Sequence, residues 1–504
     1  MLKRTPFPLL LLVALTGCAA GTGFHEPKLP KDATYILPSP YPRTFIPGDA
    51  TRDDQKLDFG GNLPGQWWQL FRSPELSALV RAALKQNPGL KSAQAALNQS
   101  QELLFASESN LLPTIDGGAQ AQREQINAAS LGLPNMRPTF SVVTGALSTS
   151  YAPDVWGGIR REIQLSGAQA DYQRFELEET YLSLTSKVVD AAISIAATRA
   201  QITITQKVIT DETNELTIIR HQFLIGGASR LDVLQQETSL AIARATLPPL
   251  IKQLTQSRNQ LAALTGVYPN NITNAKFSLK TLHLPVRLPI SLPSQLIVQR
   301  PDVRAAQALL RAACAKLGIA VVNQLPQFTI SASLGNTADG FTNLFSSVTG
   351  VWSIMGGISQ TLFDAGALQD KKRAASDAVR KASEQYRSIV IAAFQKTSDA
   401  LRAVQIDAST FHAQRDAERR AAQGYSLSKE RFLAGAINYL TLLTTDRTWQ
   451  NTKLALTKDR ATRLSDTVAL FRALGGGWWN RQDLTAPPER SPALTIPIVS
   501  AFQR

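Results

Sequence analysis

The chain has 504 residues and a formal net charge of +14, with 44% hydrophobic against 18% charged residues. This balance excludes wholesale disorder and is typical of a packed protein. Two cysteines and four widely separated histidines exclude a disulfide scaffold and a local metal motif. After the first twenty residues, no apolar run reaches the about 18 residues that a transmembrane helix needs. Membrane-spanning β-strands remain allowed, because their sequence pattern is weaker.

The N-terminus predicts a secreted, lipid-anchored protein. Lys3 and Arg4 precede an apolar run at 9–15, and the run closes with Leu-Thr-Gly and Cys18. Length, charge and ending together predict a signal peptide over residues 1–17. The ending resembles the lipobox of bacterial lipoproteins, which implies a covalent N-terminal lipid on Cys18. The next residue, Ala19, is not aspartate, which by the same resemblance implies sorting to the outer membrane. The alternative is an ordinary signal in which the cysteine falls by chance.

Two proline-rich stretches flank the body of the chain. Residues 18–66 contain many prolines without a period, which predicts an extended segment that joins the lipid to the body. The tail at 477–504 has a similar composition, which predicts that it lies over the surface or is disordered.

The body of the chain is an internal duplication. Matching landmarks recur at an offset of 208 to 213 residues, which chance similarity would not hold over the length of the chain. We therefore divide the body into a first repeat at 67–275, a linker at 276–293 and a second repeat at 294–476. The matching landmarks are NP at 87–88 and RP at 300–301, LP at 112–113 and 325–326, FLIGG at 223–227 and FLAGA at 432–436, and ALTG at 263–266 and ALGG at 473–476.

Each repeat predicts a helix, two strands, one very long helix and a returning helix. The stretches 168–225 and 367–423 contain neither Gly nor Pro over 58 and 57 residues, which at about 1.5 Å per residue predicts helices of roughly 85 Å. In the first of them, two apolar series recur every seven residues, starting at Phe175 and at Val188. Two adjacent seams predict two neighbours per helix, as in a ring of coiled-coil helices. A spectrin-like helical bundle is the alternative.

The strands favour a membrane barrel. Phe328, Ile330, Ala332 and Leu334 alternate with small and polar residues, and the segment from Ile115 alternates in the same way. Partner strands are predicted near 140–152 and 351–362. Strands of about 9–11 residues with this alternation are typical of outer-membrane barrels, and the edge of a β-sandwich is the alternative. Four strands cannot close a barrel, because about eight are the practical minimum, so the barrel would be shared between chains.

Three motifs stand out along the chain: DVWG at 154–157, RPDVRAA at 300–306 and NYLTLL at 438–443. In these motifs the sequence resembles the TolC-like outer membrane factors, specifically their lipid-anchored efflux branch. The resemblance covers nearly the whole mature chain. It implies a mixed α and β fold in which a homotrimer closes an outer-membrane β-barrel, four strands per chain, continuous with a long periplasmic α-helical barrel and an equatorial belt. In that scheme Pro248 and Pro249 break the first returning helix at the belt into two stacked helices.

The resemblance also assigns site residues. The loops at 124–138 and 336–350 would face the exterior, and the two glycine-containing turns would be periplasmic tips that contact a periplasmic adaptor (membrane fusion protein). The glycines have a plain structural role as helix caps, and the two roles are compatible. The tip residues are Arg220, Phe223, Leu224, Gly226, Gly227, Arg431, Phe432, Leu433 and Gly435.

The periplasmic gate is where this sequence departs from the family pattern. Efflux relatives have a leucine and an aspartate there as two constriction rings; this chain keeps Leu440 but has Thr444 in place of the aspartate. Asp446 lies two residues further on, and two residues turn a helix by about 200°, so we expect it to point away from the lumen. The hypothesis is a hydrophobic ring at Leu440 and a weaker polar ring at Thr444.

The function we predict is the outer membrane duct of a tripartite efflux system for small toxic compounds, fed by an inner-membrane pump. A channel for type I protein secretion, a periplasmic adaptor and an envelope tether are the alternatives. We expect neither catalysis nor a cofactor other than the lipid, because the sequence contains no phosphate-binding loop, zinc motif or nucleophile elbow. Nucleic acid is not an expected partner, because the basic residues are interspersed with acidic ones.

Overall fold

The structure is a computed structural model, and it describes residues 55–125, 137–271, 277–290 and 299–481. Cys18, the signal peptide and most of the segment at 18–66 lie outside the described residues. So do most of the loop at 124–138 and the tail beyond residue 481.

The order of elements repeats, which confirms the duplication. A short strand, β1 (Lys56–Phe59), and a 3₁₀ turn at Trp67–Phe71 precede the first copy. Strand β4 (Arg287–Ile290) lies between the copies, in the segment expected to be a linker. The first copy contains α1 (Pro74–Gln86), α2 (Pro88–Ser109), β2 (Thr114–Gln125), β3 (Thr139–Tyr151), α3 (Gly158–Leu224) and α4 (Arg230–Thr265). The second contains α5 (Pro301–Val322), β5 (Gln327–Ala338), β6 (Gly350–Ser359), α6 (Ala367–Leu433) and α7 (Tyr439–Ala473).

Four strands form one antiparallel sheet in the order β2-β3-β5-β6. Its register places Leu147 opposite Leu334, and Leu334 opposite Trp352, so these side chains share one face. Thr144, opposite Thr337, lies on the other face, which is lined by small and polar residues. One apolar and one polar face confirm the predicted alternation. Among the residues that the structure describes, β2 and β6 each pair with one strand and form the edges of the sheet.

The two longest helices, α3 and α6, are longer than predicted. Each has 67 residues, which corresponds to about 100 Å. The difference arises because glycine does not end them: α6 continues through Gly424, which lies on an exposed side, and α3 begins before Gly167. Phe175 and Val188, which start the two predicted apolar series, are both buried.

The predicted break at Pro248 and Pro249 is wrong. Helix α4 runs without interruption over 36 residues and contains both prolines. Each proline removes one N–H, which would have bonded the carbonyl four residues earlier. Those carbonyls belong to Arg244 and Ala245, both of which are exposed, so water can replace the lost donors and the helix continues on either side.

The first residue of each landmark dipeptide, NP or RP, forms a hydrogen bond with the end of the returning helix of the same repeat. Asn87 precedes α2, and its Nδ2 donates a hydrogen bond of 2.9 Å to the carbonyl of Leu264, next to the last residue of α4. Arg300 precedes α5, and its Nη1 donates one of 2.7 Å to the carbonyl of Ala473, the last residue of α7. The start of each copy therefore caps the end of the same copy, which satisfies carbonyls that a helix end leaves free.

A second duplicated device begins the long helices. The carboxylate of Asp154 accepts hydrogen bonds from the backbone N–H groups of Ile159 and Arg160 at 2.9 and 3.1 Å. The carboxylate of Asp364 accepts one of 2.7 Å from the N–H of Leu368. A negative charge at a helix N-terminus also interacts favourably with the helix dipole, so both strands lead into stable helix starts.

The main core forms a belt around the middle of α3. Trp67 and Trp68 of the 3₁₀ turn are fully buried there, with the ring centroid of Trp67 5.7 Å from that of Phe471. Strands β1 and β4 pair in parallel beside this core. The end of the N-terminal segment is thus packed on the body, as is Trp478 of the tail, whose indole donates a 2.6 Å hydrogen bond to the carbonyl of Gln299.

Within the part of the chain that the structure describes, one helix, α5, is long and apolar enough to cross a membrane. Most of it is buried in protein, and Val303 packs against Tyr386 and Val390 of α6. Cys314 is half-buried on this helix, and burial raises the pKa of its thiol.

Candidate functional site

Both glycine-containing turns end their long helices in the same way. After α3, Gly226 has a φ of 84°, and the N–H of Gly227 donates a 2.7 Å hydrogen bond to the carbonyl of Gln222. After α6, Gly435 has a φ of 72°, and the N–H of Ala436 donates one of 2.9 Å to the carbonyl of Arg431. A residue in the left-handed region closes a helix most easily when it lacks a Cβ, so both turns have defined shapes.

The helices that return from these turns also begin with caps. Ser229 and Asp232 form a reciprocal capping box at the start of α4. Asn438 caps α7 by accepting a 3.0 Å hydrogen bond from the N–H of Thr441. The two tips are therefore rigid hairpin ends rather than loose loops.

The predicted tip residues differ in exposure. Leu224 and Leu433, the last residues of the long helices, are 81% and 77% exposed, and Phe223 is also exposed. Arg220 forms a 2.7 Å ion pair with Glu237 of α4 on the surface. Phe432 is half-buried against the ring of Tyr439, with centroids 5.8 Å apart. Both tips thus present apolar side chains at the surface, and the contact of these residues with an adaptor stays a prediction.

The predicted gate residues lie on the exposed side of α7. Leu440 and Thr444 are both exposed, one helical turn apart, and the Thr444 hydroxyl donates to the carbonyl of Leu440 at 2.8 Å. Asp446 lies on the opposite side and is buried, where Nε2 of Gln450 donates to its carboxylate. No observation here tests the gate role of Leu440 and Thr444, which stays a prediction.

Behind the gate residues, buried polar groups join the two hairpins. Nε2 of the fully buried Gln236 donates to the Glu212 carboxylate at 2.7 Å and to its backbone carbonyl at 2.8 Å. The Ser239 hydroxyl donates to the same carboxylate at 2.9 Å. Tyr439 of α7 donates its hydroxyl to Oε1 of Gln236, so the network links the second hairpin to the first. Such a network has a defined geometry and is costly to break in part.

Two further carboxyls in this region hold protons more tightly than usual. Burial raises the pKa of Asp446 to about 7, the carboxylates of Glu212 and Asp211 raise it as well, and Lys429 lowers it. Burial likewise raises the pKa of Glu215 to about 8, with Asp446 and Glu212 acting in the same direction. The tips therefore contain carboxyl groups that titrate near neutral pH.

A groove of about 390 Å³ lies between the two hairpins beside this network. Its walls include Ile218 of α3 and Lys429 and Phe432 of α6, and the stacked rings of Tyr425 and Trp449 lie along it with centroids 5.1 Å apart. The groove therefore combines apolar and charged walls.

Sequence reasoning did not identify the buried network. A signal was present in a third series with a seven-residue period, in which Thr198, Thr205, Glu212 and Ile219 are all buried. A glutamate in an otherwise small or apolar series indicates a buried polar contact, because an unpaired buried charge is costly.

Four strands with one apolar and one polar face, continuous with two 100 Å helical hairpins, define the class of outer membrane channels with a periplasmic helical extension. The chain belongs to the outer membrane efflux protein family, whose model matches residues 79–267 and 292–476. These two matched ranges correspond to the two repeats. The chain is therefore an outer membrane efflux protein.

Relatives with assigned roles agree with this family. The toluene efflux pump outer membrane protein TtgF of Pseudomonas putida is 29% identical over 507 residues, covering 96% of this chain and all of the relative. The pyoverdine export outer membrane protein OpmQ of Pseudomonas putida is 28% identical over 422 residues, covering 82% of this chain and 89% of the relative.

Solved structures share the fold. The outer-membrane channel OprN superposes with a TM-score of 0.82 at 24% identity, over 92% of this chain and all of that one. The CmeC outer membrane channel of Campylobacter jejuni superposes with a TM-score of 0.81 at 20% identity, over 91% and 95% of the two chains. These relatives are channel proteins and not enzymes.

Proposed function

We propose that the mature protein is a lipid-anchored homotrimer that serves as the passive exit duct of a tripartite efflux system. The observation that supports this most directly is the sheet: it has two open edges, β2 and β6, and an apolar face. Four strands are too few for a barrel, and pairing β6 of one chain with β2 of the next in a ring of three leaves no edge in lipid. The lipid on Cys18 would hold each chain to the membrane from the periplasmic side.

The tips are the proposed contact with a periplasmic adaptor. Leu224 and Leu433 present apolar surface at the far end of the helices, about 100 Å from the strands. The groove between the hairpins offers a second, partly charged surface for a helical segment of the adaptor. Adaptor binding would favour an open arrangement of the hairpins, because a ligand shifts an equilibrium toward the state that it binds better.

Transport through the duct would need no energy from this chain. Cargo would be moved by an inner-membrane pump docked through the adaptor, and Leu440 with Thr444 would narrow the periplasmic entrance when the pump is absent. The strand face that would line the outer-membrane pore is polar and weakly selective, with Thr144, Ser333 and Ser353 among its residues. The relatives named for toluene and pyoverdine favour small compounds over secreted proteins as cargo, and we propose that the pump selects them.

Efflux in living cells tests this proposal. Cells that lack the gene should accumulate a fluorescent efflux dye, and the wild-type chain should restore export. A Leu224→Asp, Leu433→Asp double variant should reach the outer membrane as a trimer but fail to restore export, because charge replaces the apolar tips. The matched control, Leu224→Met with Leu433→Met, should restore it. Full export by the aspartate variant would contradict docking through these tips.

A further inference from the structure

The loop between β5 and β6, residues 339–349, folds back onto the sheet instead of extending beyond it. Leu344 is only 7% exposed, and Val143 of β3 is 5% exposed. A Cβ placed on Gly145 would lie 3.7 Å from the Cδ2 atom of Leu344. Leu344 thus packs the loop against β3 beside Gly145.

The register of the sheet identifies the face that the loop covers. Gly145 and Val143 lie two and four residues before Leu147 on β3, and alternate residues of a strand share a face. Leu147 pairs with Leu334, which pairs with Trp352, so this is the apolar face of the sheet. The loop therefore lies on the face opposite to the polar one.

The loop is also organised internally. The Thr349 hydroxyl lies 2.8 Å from the carbonyls of Leu344 and Ser346, and Nδ2 of Asn343 donates to the Asp339 carboxylate at 2.9 Å. These bonds give several polar groups of the loop a partner within the loop itself.

The apolar side chains of the loop point away from the protein. Phe345 is 87% and Val348 is 90% exposed, and Phe341 is exposed as well. Trp352, on the adjoining strand and on the apolar face of the sheet, is also exposed. Large contiguous apolar surface on a folded protein marks contact with a membrane or a partner.

We propose that this loop is a lipid-contacting collar: its aromatic side chains insert among the acyl chains of the outer leaflet of the outer membrane. This inference rests on the proposed outer-membrane barrel. Lipid is the expected contact because the loop lies on the sheet face that would face the bilayer. The loop would then fix the depth of the barrel and leave the channel mouth uncovered. Aromatic residues suit this position, since their rings are favoured at the boundary between hydrocarbon and headgroups.

Spin-label accessibility tests the proposal on the full-length protein reconstituted in phosphatidylcholine vesicles. In a Cys314→Ala background, a nitroxide is attached at Phe345→Cys, at Ile354→Cys on the apolar face of β6, and at Ser353→Cys on its polar face. Collision with oxygen reports lipid exposure, and collision with a water-soluble nickel chelate reports aqueous exposure. We expect the Phe345→Cys label to match the Ile354→Cys label, with frequent oxygen collisions and loss of nickel collisions.

Two results at Phe345→Cys would overturn the collar. Nickel collisions equal to those at Ser353→Cys would place the loop in the aqueous mouth, and protection from both reagents would place it against a neighbouring copy. If the proposed barrel itself were wrong, the Ile354→Cys label would also lack lipid exposure, which distinguishes that outcome from failure of the collar alone.

A second variant tests how the loop is held. Leu344→Ser should release the loop from β3 and raise nickel collisions at Phe345→Cys, while the labels on β6 stay unchanged. No change at Phe345→Cys would show that the leucine does not hold the loop.

Discussion

Tyr439 of α7 donates its hydroxyl hydrogen to the side-chain carbonyl of Gln236 on α4, and both residues are buried. Burial and the nearby carboxylate of Glu215 raise the pKa of Tyr439, so the hydroxyl keeps its proton. Tyr439 directly precedes Leu440 in the chain. The hydrogen bond therefore holds the start of α7, which carries the proposed gate residue Leu440, against α4 of the first hairpin.

Removing this hydroxyl should loosen the two hairpins. Tyr439→Phe would leave Oε1 of Gln236 buried without a donor, at a cost of about 1–3 kcal/mol. We expect a lower thermal midpoint of the trimer in detergent and faster hydrogen exchange in α7 near residue 440. Tyr268→Phe is the matched control, because Tyr268 is exposed and should change neither quantity. Identical midpoints for the two variants would contradict this account of the network.

The stability of the tips should fall as pH rises through neutrality. Asp446 and Glu215 have pKa values raised to about 7 and about 8, so the folded tips bind protons that an unfolded chain releases near pH 4. The unfolded state therefore binds fewer protons between these values, and the free energy of unfolding decreases with rising pH across that window. Above it, ionised Asp446, Glu215 and Glu212 repel one another.

Conductance of the closed channel in planar bilayers checks this prediction. It should increase between about pH 6 and about pH 9, because repulsion separates the hairpins. An Asp446→Asn, Glu215→Gln double variant should show a flat profile, since neither amide titrates. A flat profile for the wild-type protein, or an equally steep one for the double variant, would show that ionisation of these carboxyls does not control conductance.

The predicted hydrophobic ring is tested by shortening its side chain. Leu440→Ala should raise the closed-state conductance clearly, because three exposed leucines would no longer meet at the entrance. Thr444→Ala should have a smaller effect, since its hydroxyl already donates to the carbonyl of Leu440. Leu427→Ala, an exposed leucine on α6, is the control and should leave conductance unchanged. An unchanged closed-state conductance in the Leu440→Ala variant would contradict the hydrophobic ring.

Alanine substitutions at Gly266 and Gly424 should have opposite effects on stability, because only Gly266 lies at the contact that closes a repeat. In Gly266, with a φ of 73°, an added Cβ would lie 2.7 Å from the carbonyl oxygen of Gln86, so Gly266→Ala must distort the joint between α1 and α4. Gly424 lies exposed within α6, where an added Cβ meets nothing within 4 Å. Gly424→Ala should stabilise the protein by about 0.5–1 kcal/mol, and Gly266→Ala should destabilise it by more than about 1 kcal/mol. Thermal midpoints of the two trimers measure this, and equal shifts would contradict the contact.

Much of the fold could be predicted from periodicity. The two long helices followed from stretches without Gly or Pro, and the strands followed from alternation that starts at Ile115 and at Phe328. The dipeptide landmarks at Asn87 and Arg300 could be aligned but not explained, because their side chains bond helix ends 177 and 173 residues away along the chain. Strands β1 and β4 are short and pair over a long separation, so local pattern did not reveal them.

The prolines show where local rules mislead. Pro248 and Pro249 predicted a break, but the two carbonyls that they deprive of donors face solvent. The interior of the tips was missed for the opposite reason: Glu212, Gln236 and Asp446 are polar, yet all three are buried in the folded tips. Sequence reasoning located the turns but could not show which polar residues meet behind them.

The central claim is that three lipid-anchored chains share one barrel, and native mass of the mature protein tests it most directly. The protein is extracted from outer membranes in mild detergent and weighed intact and after dissociation. We expect a trimer in which each chain begins at an acylated Cys18. A monomer, or a species without the lipid, would contradict the shared barrel or the anchor respectively.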